Sequence, residues 1–176
     1  MAEIIQNGNP ALRHISKPVL IKDIGSTKLK KIIHDMKEAL HREDDGVAIA
    51  APQIAVSLRI FIVAGKVFEE DFVRGKNFKG PQGKDLVFIN PKFLKISKDK
   101  KLLQEGCLSV RPLYGKVRRA TRATVEALDE NGEKFTVSGS GLLAHIFQHE
   151  TDHLDGILFI DKAKDLHEST NEEEYN

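Results

Sequence analysis

The stretch 141–156, GLLAHIFQHETDHLDG, constrains this chain more than any other. Ser138, Gly139 and Ser140 precede it as a plausible helix cap, and Gly156 stands where a helix would end. Leu142, Ile146, His149 and His153 recur at i, i+4, i+7 and i+11, which is one stripe of a helix. His149 and His153 therefore share the face that the apolar residues send inward. Two imidazoles one turn apart can grip one divalent metal, and the pattern H-E-x-x-H aims Glu150 at the water such a metal activates. Shuffled chains of this composition would produce the pattern in roughly 2% of cases, so it is only moderately specific and needs support elsewhere.

His145 complicates the ligand count. It lies eight residues from His153, about 12 Å along a straight helix, so one metal cannot take both. The pair is either 145/149 or 149/153, and only the second puts a carboxylate, Glu150, directly after its first ligand. The reading adopted is 149/153, with His145 left to line the pocket or support the site.

A catalytic metal usually takes three protein ligands. Downstream, Asp155, Asp161, Asp165, His167 and Glu168 could serve, but none stands at a persuasive spacing. Upstream is the only cysteine, Cys107, in Glu105-Gly106-Cys107-Leu108-Ser109. A lone buried cysteine is most often a small hydrophobe. The residues by themselves leave the third ligand open.

The whole chain bounds the answer further. Its 176 residues, 40% hydrophobic and 30% charged, suit one globular domain with a real core. A net charge of +1 argues against a dedicated nucleic-acid binder. One cysteine excludes an internal disulfide, no apolar run reaches membrane-spanning length, and no signal peptide is expected from the first residues. The expected compartment is the cytoplasm.

Along the chain, residues 1–20 read as an extended arm with turns near Pro10 and Pro18, and Ser26 or Thr27 caps a helix to about Arg42. Strands are expected at 59–63, 86–89, 93–97, 123–128 and 134–137, the last two joined by a turn at 129–132, with another at 157–160. Residues 64–84 read as an insertion or long hairpin tip. The expected organisation is a single catalytic domain over 1–165 and a flexible charged tail over 166–176. The fold class is α+β, several antiparallel strands around one buried helix.

Three motifs then carry a family resemblance: Gly46-Val47-Ala48-Ile49-Ala50-Ala51-Pro52-Gln53, Glu105-Gly106-Cys107-Leu108-Ser109, and Gln148-His149-Glu150-Thr151-Asp152-His153. In this order they resemble peptide deformylase, and residues 9–13 and 158–161 extend the likeness to about 4–162. The resemblance implies antiparallel sheets packed around a central metal-binding helix. It departs at Ala48, where the family carries glycine, and a methyl group there takes space near a ligand. Ala55 also replaces a usual glycine, and residues 64–84 look long.

The resemblance implies the roles. Cys107, His149 and His153 hold one divalent metal. Glu150 moves the proton, while the Gln53 amide and the Leu108 backbone N–H steady the developing oxyanion. Glu105 pairs with Arg119 and braces the Cys107 strand, and Asp152 supports from outside. Val47, Ala48, Leu103, Leu142 and Ile146 line a methionine pocket. The metal implied is ferrous iron in the cell, with Zn2+, Ni2+ or Co2+ possible in purified protein. The implied substrates are N-formyl-methionyl nascent polypeptides, met by a monomer without membrane or direct nucleic-acid binding. Docking on the ribosome is a hypothesis resting on that substrate class alone. Two rivals remain at this stage: a zinc metallopeptidase with a third ligand other than Cys107, and a non-catalytic, metal-stabilised deformylase-like protein.

Overall fold

The computed structural model describes residues 2–68 and 83–168. Residues 69–82, most of the expected insertion, and 169–176, most of the expected tail, lie outside the described residues. Two α-helices and eight strands are placed: α1 Thr27–His41, β1 Ala48–Ala50, β2 Ile60–Val63, β3 Leu86–Ile96, β4 Lys100–Gly106, β5 Leu113–Ala120, β6 Arg122–Leu128, β7 Lys134–Ser140, α2 Gly141–Leu154 and β8 Lys164–Glu168. The strands pair antiparallel in a five-stranded sheet, β1-β2-β3-β6-β7, and a three-stranded sheet, β4-β5-β8.

Strand β2 explains why α2 ends up inside. Its four residues are all buried, and their alternation sends Phe61 and Val63 to one face of the sheet and Ile60 and Ile62 to the other. The Phe61 face packs against Leu143, Ala144, Ile146 and Phe147 of α2, with Phe61 and Phe88 stacked at 4.5 Å. The Ile60 face packs against Leu29, Ile33, Met36 and Leu40 of α1, whose start Ser26 caps by accepting from the Leu29 N–H. A third cluster, Leu12, Val110, Val117, Leu158 and Phe159, ties the N-terminal arm to β5 and the turn after α2.

Three expectations need correction. Residues 86–89 and 93–96 belong to one strand, β3, which ends before Ser97 and is bulged at Asn90, which has φ +52° and whose side chain holds both backbone groups of Val19 at 2.8 Å. A bulge accommodates Pro91, which has no N–H to give. Residues 157–160 form no strand; Phe159–Asp161 is a 3-10 turn whose Asp161 carboxylate accepts the Leu158 N–H at 2.9 Å and is gripped by Arg13. Leu166, His167 and Glu168, expected in the tail, complete β8 against β5.

The end of α2 depends on one glycine. Gly156 has φ +73°, and a Cβ there would lie 2.5 Å from the Arg13 carbonyl oxygen, so the chain turns back only because no side chain is present.

Candidate metal centre

Strand β4 ends at Gly106, against which the Tyr114 ring packs so closely that a Cβ would meet it at 2.6 Å. The chain turns there and delivers Cys107 to α2. Its Sγ lies 3.2 Å from His153 Nε2, and ligand atoms of Cys107, His149 and His153 all fall within 4.8 Å of one another. Among the described residues this is the one His/Cys/Asp/Glu group that could hold a metal ion. Its thiolate and two imidazoles are the donor set of a zinc, iron, cobalt or nickel site.

The surroundings fit a cation. His149 Nδ1 lies 2.5 Å from Glu105 Oε1, which directs its Nε2 away from the carboxylate. Burial disfavours a charge on His149, but the Cys107 thiol, the Glu105 carboxylate and Glu150 outweigh it, and its pKa is raised well above the ordinary value. Burial and the neighbouring His149 push His153 the other way, well below its ordinary value. The Glu105 carboxylate bound to His149, with the Cys107 sulfur facing His153, would stabilise a positive ion at this spot.

Glu150 is 4% exposed, and its Oε2 is buried without a hydrogen-bond partner among the described residues. Burial, against the pull of His149, raises its pKa to about 7. A carboxyl poised near neutrality can both take and return a proton.

Gln53 reaches the centre from the 3-10 turn Ala51–Ile54 and is 1% exposed. Its Oε1 accepts the Ala50 N–H at 2.8 Å, which fixes the amide so that Nε2 faces Ser109 Oγ at 3.1 Å and Cys107 Sγ at 3.7 Å. The Leu108 carbonyl accepts from Gln6, while its N–H makes no hydrogen bond among the described residues. The N-terminal arm holds both loops from outside, Ile5 N–H donating to the Gln53 carbonyl and Asn7 N–H to that of Ser109.

Glu105 and Arg119 form a buried, two-pronged pair at 2.6 and 3.0 Å. Arg119 also donates to Asp152 at 2.6 Å, and Lys162 closes on Asp152 at 2.7 Å. Burial alone would raise the Glu105 carboxyl, but His145, His149 and Arg119 together hold it far below the usual carboxylate range.

Of the expected pocket residues, Val47, Ala48, Leu142 and Ile146 meet in the cluster beside α2. Leu103 stands apart on β4, half-buried opposite Val117. The downstream acids are engaged elsewhere: Asp155 with Arg59, Asp161 with Arg13 and Asp165 with Lys116. Sequence reasoning missed two buried side chains. Ser109 anchors Gln53, and Gln148 binds the backbone of Ala120. Both lie inside the quoted motifs, yet nothing in their spacing points to a partner.

Known proteins bear on this geometry directly. A family model described as polypeptide deformylase matches residues 1–169. The chain is 40% identical over 151 residues to peptide deformylase 2 of Clostridium acetobutylicum, covering 85% of this chain and 87% of that protein. It superposes on the actinonin-bound crystal structure of a class I type b peptide deformylase from Acinetobacter baumannii with a TM-score of 0.78 at 33% identity, covering 93% and 99% of the two chains. The Met-Ala-Ser-bound structure of that deformylase gives a TM-score of 0.78 at 34% identity, covering 92% and 99%. A match spanning nearly every residue, joined to relatives that share both sequence and fold, makes this chain a member of the polypeptide deformylase family.

Proposed function

We propose that this protein removes the formyl group from the N-terminal formyl-methionine of newly made polypeptides, releasing formate, in a metal-dependent hydrolysis. The observation that carries the reading is the convergence of Cys107, His149 and His153 beside a buried Glu150 whose Oε2 has no hydrogen-bond partner among the described residues. A divalent metal held by those three side chains supplies the Lewis acidity that polarises the formyl carbonyl and activates water.

The remaining work falls to the chain itself. Glu150 takes a proton from the attacking water through its unpaired Oε2. The new C–O bond forms as negative charge gathers on the formyl oxygen. Gln53 Nε2, already aimed at Cys107, and the Leu108 N–H, which has no partner among the described residues, donate to that oxygen. Glu150 then gives its proton to the departing amine, the C–N bond breaks, and formate and a free methionine amino group leave.

The apolar residues Val47, Ala48, Leu142 and Ile146, which meet beside α2, hold the methionine side chain, which is long and adaptable enough to fill a narrow slot. Support for a Met-first peptide comes from the Acinetobacter baumannii deformylase crystallised with Met-Ala-Ser. Glu105 and Arg119 brace the Cys107 strand. Within the cell the metal in this reading is ferrous iron, and the enzyme works as a cytoplasmic monomer on chains leaving the ribosome. No described helix is long and apolar enough to cross a membrane.

Mass spectrometry of two substrates tests the reading against a metallopeptidase. Formyl-Met-Ala-Ser should lose only its formyl group, and the unformylated peptide should survive intact. Cleavage within the unformylated peptide would overturn it.

A further inference from the structure

His145, one turn before His149 on α2, has a defined partner. Its Nε2 lies 2.6 Å from Glu105 Oε2, the oxygen that also accepts from Arg119 Nε at 3.0 Å. The other oxygen, Oε1, accepts from Arg119 Nη2 at 2.6 Å and from His149 Nδ1 at 2.5 Å. The carboxylate thus receives four donors, two on each oxygen, with its side chain 2% exposed.

An ionised carboxylate only accepts, so each imidazole must present an N–H to it. His149 does so from Nδ1, which leaves the lone pair of Nε2 facing the other way. Where Oε1 sits beneath His149 depends on what grips Oε2. Arg119 is an incomplete grip, because its third nitrogen serves Asp152 at 2.6 Å and Asp152 in turn serves the half-exposed Lys162. Arg119 also belongs to β5, a different element from the helix that carries the two histidines. His145 alone among the donors to Oε2 ties the carboxylate to α2 itself, in the same frame as His149 and His153.

We propose that His145 is a positioning residue that, through Glu105, holds His149 in the Nδ1–H tautomer and the orientation a metal at Cys107, His149 and His153 requires; this rests on the reading of those three side chains as its ligands. The role needs an N–H at one place, and nothing else of the imidazole.

Zinc affinity, read by competition with a chromogenic chelator after metal removal, tests this with three variants. H145A deletes the donor. H145L deletes it while filling the space, and replaces H145A should that variant not fold. H145Q returns an amide N–H near the place of Nε2. The donorless variants are expected to bind zinc about tenfold more weakly than the parent, and H145Q within about threefold of it. In the zinc-loaded proteins, 15N spectra of the His149 ring should show a protonated Nδ1 in the parent and H145Q and a mixed state in H145L. A merely structural loss would lower the melting temperature without altering that ring. Folded donorless variants that bind like the parent, or an H145Q as weak as H145L, would overturn the proposal. A parent chain that holds no zinc would overturn the ligand reading itself, which separates that failure from one confined to His145.

Discussion

The amide of Gln148 binds both backbone groups of Ala120: its Oε1 accepts the Ala120 N–H at 2.9 Å and its Nε2 donates to the Ala120 carbonyl at 3.0 Å. The same Nε2 reaches the Ala144 carbonyl at 2.8 Å. One side chain thereby fastens α2 to the corner where β5 leaves the small sheet and β6 enters the large one. It stands immediately before His149 and Glu150, so it sets the height of both against the sheets. Gln148→Leu keeps the volume but strands a buried N–H and a buried carbonyl. The expected loss is about 2–4 kcal/mol in urea unfolding; a loss under about 0.5 kcal/mol would show that the contact is incidental.

Buried and exposed charge ties should differ sharply. Glu105→Gln leaves Arg119, whose side chain is 4% exposed, with Asp152 as its one ionic partner among the described residues. Unfolding of the metal-free protein should become easier by about 3–5 kcal/mol. Arg111, by contrast, pairs with Glu43 at 2.9 Å and Asp45 at 2.5 Å on a side chain 43% exposed. Arg111→Ala should cost less than about 1 kcal/mol. Equal costs for the two variants would contradict this ranking.

Glu150 predicts a pH signature in the metal-free protein. Its folded pKa is about 7 against an ordinary 4.5, so the folded chain binds the proton more tightly than the unfolded chain. Its contribution is fully present below about 4.5 and is lost as the pH rises to about 7. Glu150→Gln removes the titration. The variant should match the parent near pH 4 and exceed it near pH 8 by up to about 3 kcal/mol, with bound metal shrinking the gap. A variant no more stable than the parent at pH 8 would count against a strained, buried carboxylate.

Cys107→Ser tests the ligand set through stability. A metal that binds only the folded chain adds about 2.7 kcal/mol when present at a hundred times its Kd. The parent should melt higher with zinc and lower after chelation, whereas Cys107→Ser should respond weakly to either. An unchanged zinc response would point to a different third ligand.

Much of this was legible in the order of the residues, for identifiable reasons. Helix α2 announces itself because a stripe and a terminal glycine agree, and the structure places it over Gly141–Leu154; residues 138–140, expected to cap it, instead close β7, and Ser140 makes no side-chain cap bond among the described residues. Helix α1 begins where Ser26 promised. The apolar run 157–160 misled because such a run buries equally well as a strand or as a turn, and here Arg13 and the Leu158 N–H hold Asp161 in the turn. Strand β3 looked like two because Asn90-Pro91 normally ends a strand, yet the Asn90 side chain supplies bonds to Val19 that a plain turn lacks. The union of Cys107 with the histidines needed the family resemblance, since spacing alone left several acids open. The partners of His145 and Gln148 were invisible, because each joins α2 to a distant strand, a contact that no local pattern encodes.

The measurement that bears most directly on the central claim is formate release from formyl-Met-Ala-Ser by anaerobically purified, iron-loaded protein, with Glu150→Ala at equal metal content beside it. The account predicts release by the parent and a fall of about 10²–10⁴-fold in the variant. No release from parent protein holding one metal per chain, or equal rates from the two proteins, would contradict it.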